Sequence, residues 1–520
     1  MSRTVSRAAL CSLFAITALS LFVGAPAFAQ KSKDELRFAI NDMFPVADPY
    51  VFPHDEAGVV TRTIYSPLFA FQEKEKKFVG LVAKAWRVVS PGVYEFDLRD
   101  DITFHSGNKL TADDVIYTLN FFADPAAKIR FKQRYDWFHP VEKLGEYNVR
   151  IRAKVPQSDD FAKLAYRSRI LDKKIHEPLG YEKYGDYGRI SASGSGPYKM
   201  VSIDKQKIVL EKFTNVKDDV QRQAVNRYVG INMPDEQSQI AQLLTGGVDA
   251  IRNVSPDNAK SLGQNPNLKV KNVASGDIVY ITLDAAGRSK NKAMTDQRVR
   301  KALMMSIDRD SLIRNIVPGA GTADKLKMIC FEWTLDCSST TQTQSYDPNT
   351  AKRLLAEAGF PNGLDLQLDV HEPVREIAEA VAGELRKVGI RASVQPMPLA
   401  VYVKKRGDGE FTAFMGFYPT SAQPEAGNIM DFFFGQDRDY YRDDILLKAM
   451  NEGPAEFDEK KRQAMYRTAV DRVNEMNYIV PFSSLPTAYA MSKDVDIAPD
   501  VFSYTAVYLN DLVWADYKGK

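Results

Sequence analysis

The order of apolar and polar positions along the chain predicts short strands that alternate with amphipathic helices. Residues 94–98 alternate between apolar and polar positions, which is typical of a half-buried strand. Thr111 is a candidate N-cap for a helix that has two acidic residues in its first turn. Further along, an amphipathic helix predicted over 372–388 leads into a strand predicted over 390–394. This alternation favours mixed α/β units.

The N-terminal segment has the pattern of a cleavable secretory signal. Basic residues precede an uncharged apolar stretch over 8–23, and the small residues Ala27 and Ala29 precede the expected cleavage site. The stretch is short for a membrane span. We therefore expect residues 1–29 to be removed and the mature chain to be soluble and located in the periplasm, with an uncleaved anchor helix as the alternative. Lipidation at Cys11 is disfavoured, because most of the apolar run follows it.

Length and charge restrict the class of protein further. The roughly 490 residues that follow the expected signal exceed one hydrophobic core and predict two or more lobes. The chain carries 69 basic and 67 acidic side chains, and two of the arginines fall in the signal, so the mature chain is close to neutral. Proteins that bind nucleic acid concentrate basic charge on one face. Because the basic residues here are interleaved with acidic ones, we expect no nucleic-acid partner.

Two cysteines, Cys330 and Cys337, follow the expected signal. In an oxidising compartment a pair this close favours a structural disulfide. The enclosed loop is short, so the expected stabilisation is local and about 2–3 kcal/mol. A redox or metal-binding pair is the alternative.

Several ordered blocks of sequence resemble family 5 extracellular solute-binding proteins of ABC importers, the dipeptide-, oligopeptide-, glutathione- and nickel-binding class. The longest block, over 81–107, reads LVAKAWRVVSPGVYEFDLRDDITFHSG and continues into TADDV at 111–115. The other blocks are DPY at 48–50, IYSPLF at 64–69, SGPY at 195–198, LLTGGVD at 243–249, DQRVRKALMMSID at 296–308 and LLAEAGFPNG at 354–363. The resemblance spans nearly the whole mature chain.

The resemblance implies an α/β, two-lobed periplasmic binding protein fold with an enlarged first lobe and a ligand cleft between the lobes. The first lobe would comprise residues 30–280 plus 491–520, and the second would comprise residues 281–490. Closure of two hinged lobes removes a bound solute from water. The implied function is capture of a peptide-like or other small polar solute and its delivery to an inner-membrane ABC permease. The expected protein is a monomer without a cofactor or metal.

The stretch over 417–425 departs from the family pattern W-x-A-D-Y-P-D-P. The first acid of that pattern, which tends to face the amino group of a bound peptide, aligns with Thr420, and the second aligns with Gln423. Thr420 has no charge to offset a buried ammonium. We therefore expect the ligand to lack a peptide-like ammonium at this point or to hold it elsewhere, with Glu425 or Asp431 as compensating acids. The residues of this stretch predicted to contact ligand are Phe417, Tyr418, Thr420 and Ser421.

Other candidate contacts follow from the resemblance. A loop after Tyr50 faces the cleft in relatives, an aromatic side chain lies over the ligand, and a second-lobe arginine binds a carboxylate. Aromatic planes suit peptide side chains or sugar rings, and an arginine forms charge-assisted pairs with carboxylates. A packing or surface role is the alternative for each residue. These candidates are His54, Asp55, Tyr135, Trp137, His371 and Arg375.

Gly194 and Gly196, in the segment 194–197, predict a turn, and we expect their φ angles to explain the residue type. A phosphate-binding loop is the alternative for this glycine pattern. It is disfavoured because the Lys-Ser/Thr pair that contacts phosphate and metal is absent.

Three other functional classes compete with solute capture. An enzyme is disfavoured, because the sequence has no GxSxG or HExxH motif and its five histidines are scattered. A carrier of a metal complex or haem in the same fold is the second class, with His54 and His371 as the pair to test. A ligand-presenting adaptor for a chemoreceptor is the third.

Overall fold

The computed structural model describes residues 34–50, 55–72, 75–127, 129, 135–216, 222–319, 322–419, 425–435, 438–498 and 507–518. The predicted signal, residues 1–29, lies outside the described residues, as do His54, Thr420 and Ser421. Asp55 is described as part of a helix without its side chain. Within the described ranges, no helix combines the length and apolar character that crossing a membrane requires.

The strands and helices alternate along most of the chain. The strands are β1 (Glu35–Ile40), β2 (Phe69–Gln72), β3 (Lys77–Gly80), β4 (Ala83–Ser90), β5 (Val93–Leu98), β6 (Glu142–Gly145), β7 (Asn148–Arg152), β8 (Tyr198–Ile203), β9 (Lys207–Lys212), β10 (Arg227–Asn232), β11 (Ala250–Arg252), β12 (Leu268–Val273), β13 (Ile278–Leu283), β14 (Leu364–His371), β15 (Ile390–Met397), β16 (Ala413–Tyr418), β17 (Ile479–Ser484), β18 (Thr487–Ser492), β19 (Val495–Ile497) and β20 (Leu512–Trp514). The helices are α1 (Asp55–Ile64), α2 (Ala112–Ala123), α3 (Asp160–Arg167), α4 (Lys173–His176), α5 (Gly180–Lys183), α6 (Tyr187–Ile190), α7 (Glu236–Thr245), α8 (Pro256–Leu262), α9 (Gln297–Met305), α10 (Arg309–Asn315), α11 (Pro348–Glu357), α12 (Arg375–Arg386), α13 (Leu399–Asp408), α14 (Ala426–Phe434), α15 (Asp444–Glu452) and α16 (Glu459–Met476).

Two large mixed sheets organise the molecule. The first has the strand order β12-β18-β11-β1-β10-β9-β8, with β1 parallel to β10 and β11. The second has the order β15-β14-β16-β13-β17, with β14 parallel to β15 and β16. A four-stranded antiparallel sheet, β4-β5-β7-β6, and the hairpins β2-β3 and β19-β20 complete the described sheets.

The chain crosses twice between the two large sheets. Residues 274–277 lead from β12 to β13, and residues 485–486 lead from β17 to β18. We call residues 34–273 and 487–518 the first unit, and residues 278–484 the second unit. The predicted limits at 280/281 and 490/491 fall inside β13 and β18, so the crossings lie a few residues earlier in the chain. The division into lobes itself stays a prediction.

Each unit has its own apolar core. In the first unit, Leu36 and Tyr228 are fully buried between the seven-stranded sheet and its helices. In the second, Val279 and Leu368 have the same role. Separate cores allow two units to move as bodies about their connections, because few apolar contacts then have to break.

The local pattern predictions agree with the elements formed. In β5, the alternating residues Tyr94, Phe96 and Leu98 are all buried. Thr111 caps α2 in a capping box with Asp114. The helix predicted over 372–388 forms as α12 after a short 3-10 turn at 372–374.

The explanation offered for Gly194 and Gly196 is wrong, although a tight approach does require glycine. Neither has a left-handed φ. A Cβ on Gly194 would lie 2.0 Å from the Ile64 carbonyl oxygen, and one on Gly196 would lie 2.4 Å from that of Thr63. The end of α1 therefore packs directly on this backbone, and the Gly196 N–H donates to the Ile64 carbonyl at 2.8 Å. Backbone contact excludes a side chain here.

Candidate ligand-binding site

The carboxyl ends of β14 and β16 bring His371 and Phe417 together. Because these strands are parallel, both ends meet at one edge of the second sheet, where α/β proteins commonly bind ligands. The His371 ring stacks on Phe417 at 5.3 Å and on Tyr402 at 5.8 Å between ring centroids. Burial lowers the pKa of His371 and so favours the neutral ring. Phe417 and His371 thus form a partly exposed aromatic platform.

Tyr418 lies beside Phe417 but packs into the second unit. Its ring is 5% exposed and contacts Phe432 at 4.5 Å. Its hydroxyl accepts a hydrogen bond from the Asn428 side-chain amide. These contacts show that Tyr418 packs within the second unit, and its predicted contact with the ligand stays a prediction.

Arg375 occupies the first turn of α12 at the surface. Its guanidinium lies 2.8 Å from Glu379 and 3.9 Å from Glu372, and its side chain is 52% exposed. The two nearby carboxylates raise the pKa of Arg375, with the Glu379 hydrogen bond as the largest cause. Its charge is therefore already balanced along its own helix.

On the first unit, Tyr135 and Trp137 lie in different surroundings. The Tyr135 ring contacts Tyr50 at 5.2 Å. The Trp137 ring faces the Lys163 ammonium at 5.4 Å from its centroid. Both rings are partly exposed, as an aromatic contact to a ligand requires.

The loop between Cys330 and Cys337 contacts the residues at the start of α14. The two cysteines form a disulfide with their Cα atoms 6.5 Å apart. Leu335, inside the loop, pairs with Glu425 and accepts a hydrogen bond from the Ala426 N–H at 3.0 Å. The cross-linked loop thereby fixes the start of α14.

Glu425 lies where the two units meet. Its side chain is buried, and the second unit supplies Asp336, which pairs with Arg462 at 2.7 Å. The first unit supplies Asp159 and Lys163, whose charged groups lie 2.7 Å apart. Burial, followed by the charges of Asp159 and Asp336, raises the pKa of Glu425, whereas Lys163 and Arg462 lower it.

Two further hydrogen bonds join the units. The Ser158 N–H donates to the Pro454 carbonyl at 2.7 Å, and the Lys76 ammonium donates to the Glu332 carbonyl at 3.0 Å. A cavity of about 310 Å³ lies between the first crossing and the disulfide loop. Its walls include Ser275, Lys327 and Trp333.

The described ranges contain no group of three or more His, Cys, Asp or Glu side chains placed to hold a metal ion. His105 instead lies between Gly194 and Gly196, and burial lowers its pKa to about 4. The proposed pairing of His54 with His371 involves a residue outside the described ranges.

The molecule has two α/β units joined by two crossings, and comparison with known proteins gives the family of the chain. Residues 77–441 match the model of bacterial extracellular solute-binding proteins, family 5, and the chain belongs to this family. It is 26% identical over 534 residues to the glutathione-binding protein GsiB of Escherichia coli (strain K12), covering 97% of this chain and 99% of that one. It is 24% identical over 449 residues to the oligopeptide-binding protein AppA of Bacillus subtilis (strain 168), covering 82% and 81%.

The fold also matches solved structures. The periplasmic binding protein DppA of Helicobacter pylori, in complex with a peptide, superposes with a TM-score of 0.71 at 21% identity, covering 94% of this chain and 100% of that one. The chain therefore has the two-lobed periplasmic binding protein fold, and the assignment of the first and second units to its lobes stays a prediction.

Sequence reasoning located some residues near the inter-lobe contact and missed others. It named Glu425 only as a compensating acid, and it did not consider Asp159 or Lys163. Their proximity depends on contacts between distant parts of the chain, which no local pattern reports. The adjacent positions Thr420 and Ser421 stay predictions.

Proposed function

We propose that this chain is a periplasmic substrate-binding component of an ABC importer that encloses a small polar, peptide-like solute between its lobes. The observation that carries the proposal is that a hydrogen bond joins Ser158 of the first lobe to Pro454 of the second, while charged residues of both lobes act on the buried Glu425; family membership supports it. Relatives whose names specify glutathione or oligopeptides support this class of cargo. An inner-membrane permease would recognise the closed form of the protein. The protein itself would act as a monomer and would not catalyse a reaction.

The proposed solute has no peptide-like ammonium group facing residue 420 of the protein. Thr420 carries no charge, and the nearest described acid downstream, Glu425, is buried beside Asp159 and Lys163. Burial and neighbouring carboxylates raise the pKa of Glu425, so they disfavour its charged form and weaken it as a partner for a cation. A modified or γ-linked peptide, an opine-like conjugate or an oligosaccharide would satisfy this site.

The first test identifies the solute. Denaturing extraction of protein purified from the periplasm, followed by mass spectrometry, should release one small polar solute. Calorimetry should then show that a tripeptide that binds the protein still binds after N-acetylation. Tight binding of plain dipeptides or tripeptides that N-acetylation abolishes would reject the ammonium argument, and absence of any bound solute would reject the function.

The second test addresses the aromatic platform. Phe417→Ala should weaken binding of the extracted solute about tenfold, because a stacked ring is lost from the exposed side of His371. Tyr346→Ala is the matched control, since Tyr346 is an exposed aromatic residue of the same lobe. Calorimetry on both variants measures the difference, and equal affinities would remove Phe417 from the site.

A further inference from the structure

The disulfide loop, residues 330–337, bonds to both units of the molecule. Its Glu332 carbonyl accepts a hydrogen bond at 3.0 Å from the ammonium of Lys76, which precedes β3 in the first unit. Its Leu335 carbonyl accepts a hydrogen bond at 3.0 Å from the Ala426 N–H, at the start of α14 in the second unit. One short loop therefore connects the first unit to a helix of the second.

The disulfide loop is held in a conformation that a free segment would rarely adopt. Asp336 has a φ of 59°, in the sparsely populated left-handed region. Its carboxylate pairs with Arg462 at 2.7 Å, and both side chains are largely buried. The disulfide between Cys330 and Cys337 closes the ends of the loop and so restricts the conformations open to it. The cross-link and the ion pair together keep the carbonyl acceptors of the loop in place.

The disulfide loop also borders the first crossing between the units. The cavity of about 310 Å³ is lined by Ala274 and Ser275 of that crossing and by Phe331 and Trp333 of the loop. The Phe331 and Trp333 rings stack with their centroids 4.9 Å apart. Hinged units turn about such crossings. A loop that lies beside a hinge and bonds to the opposite unit can oppose separation of the units.

We propose that Lys76 and the disulfide loop are positioning elements for solute retention: the loop presents the Glu332 carbonyl, and Lys76 binds this carbonyl when the units close. The inference rests on the proposed function and adds a determinant of how long a captured solute stays bound. Without the cross-link, closure would have to order a flexible segment, and the lost entropy would oppose closure. The cross-linked loop is already ordered, so this loss is avoided.

Two backbone N–H groups report separately on the two parts of this proposal. The Ser158 N–H donates to the Pro454 carbonyl between the units, and the Ala426 N–H donates to the disulfide loop. Hydrogen exchange at Ser158 therefore measures separation of the units, and exchange at Ala426 measures opening of the loop. Mass spectrometry with fragmentation to single residues follows both in the full mature protein purified from the periplasm.

The first variant removes the contact and leaves the loop intact. Lys76→Met should speed exchange at Ser158 on the order of 3- to 10-fold, because a charge-assisted hydrogen bond between the units is lost. Exchange at Ala426 should stay at the wild-type rate, since the loop remains cross-linked. Lys327→Met is the matched control and should change neither rate. Lys327 also lies beside Glu332, 3.3 Å from its carboxylate, but belongs to the same unit.

The second variant removes the cross-link. Cys330→Ala combined with Cys337→Ala should speed exchange at Ala426 on the order of 10- to 100-fold and should also speed it at Ser158. Adding Lys76→Met to this variant should have little further effect at Ser158, because the loop no longer presents its carbonyl. A loss of stability throughout the protein would instead speed exchange at every site, including the Gly196 N–H, which bonds to Ile64 within the first unit.

Solute retention is measured on the same proteins. Each is dialysed with its co-purified solute, and the solute that remains is extracted and quantified by mass spectrometry. Lys76→Met and the double cysteine variant should lose the solute faster than the wild type, and Lys327→Met should lose it at the wild-type rate.

The outcomes distinguish the two proposals. Equal exchange at Ser158 in Lys76→Met and the wild type, or equal solute loss, would overturn the retention proposal and leave the transport function intact. Effects of Lys76→Met and of the double cysteine variant that add in full would also overturn it, since Lys76 would then act independently of the loop. Absence of any extracted solute would reject the transport function and, with it, the role in retention.

Discussion

At the scale of single residues, the segment 194–197 shows what local sequence can predict and what only the fold explains. The glycines were recognised as obligatory, but the reason lies in a contact 130 residues away in sequence rather than in their own φ angles. Local sequence reports that a side chain is missing. It does not report what occupies the space, because the Thr63 and Ile64 carbonyls lie next to these glycines only in the folded protein.

This contact predicts a severe effect of a single methyl group. Gly196→Ala should destabilise the protein by about 2–4 kcal/mol, because the new Cβ would lie 2.4 Å from the Thr63 oxygen and backbone must shift. Gly383→Ala is the matched control, since nothing lies within 4 Å of a Cβ there and the residue is helical. Denaturant unfolding measures both, and a Gly196→Ala variant as stable as wild type would contradict the packing argument.

At the scale of elements, α2 was predictable at its start because its capping box is local. The Asp114 carboxylate accepts from the Thr111 N–H at 2.9 Å, which the sequence spacing indicates. Its other oxygen accepts from the Lys173 N–H at 3.0 Å, which no sequence pattern indicates. One buried side chain therefore holds both the start of α2 and the start of α4.

Asp114→Ala should lower the free energy of unfolding by about 2–4 kcal/mol, because a helix cap is lost and the partly buried Lys173 N–H loses its acceptor. Asp113→Ala changes the neighbouring residue, whose exposed carboxylate pairs with Lys143 at 2.8 Å, and should stay close to wild type. Urea unfolding followed by far-UV circular dichroism compares them. Equal losses in the two variants would show that Asp114 does not join the two helices.

At the scale of the whole molecule, ordered blocks such as that over 81–107 were sufficient to predict the family and the two-lobed fold. They were not sufficient to predict how the lobes meet. The charges of Asp159 and Lys163 act on Glu425 although they lie more than 250 positions away in sequence. Such contacts follow from three-dimensional packing, so the sequence predicted Phe417 and His371 as separate candidates without predicting their stack.

The inter-lobe carboxylate predicts a pH dependence of stability. Burial and the charges of Asp159 and Asp336 raise the pKa of Glu425 in the folded form above its ordinary value of 4.5. The folded protein therefore holds this proton to a higher pH than the unfolded chain does. The resulting contribution to stability is fully present below about pH 4.5 and is lost as the pH rises through the raised pKa.

Glu425→Gln should remove this dependence, because an amide stays neutral at every pH. The variant should be more stable than wild type near pH 8, and the difference should shrink as the pH falls towards 5. Glu376→Gln, which changes an exposed glutamate of the same lobe, should follow the wild-type curve. Melting temperatures between pH 5 and 8, with and without the extracted solute, measure the effect.

If lobe separation frees Glu425 into water, the variant should also bind the solute with less dependence on pH, since closure would no longer take up a proton. Parallel curves for Glu425→Gln and wild type would show that this carboxylate is not desolvated between the lobes.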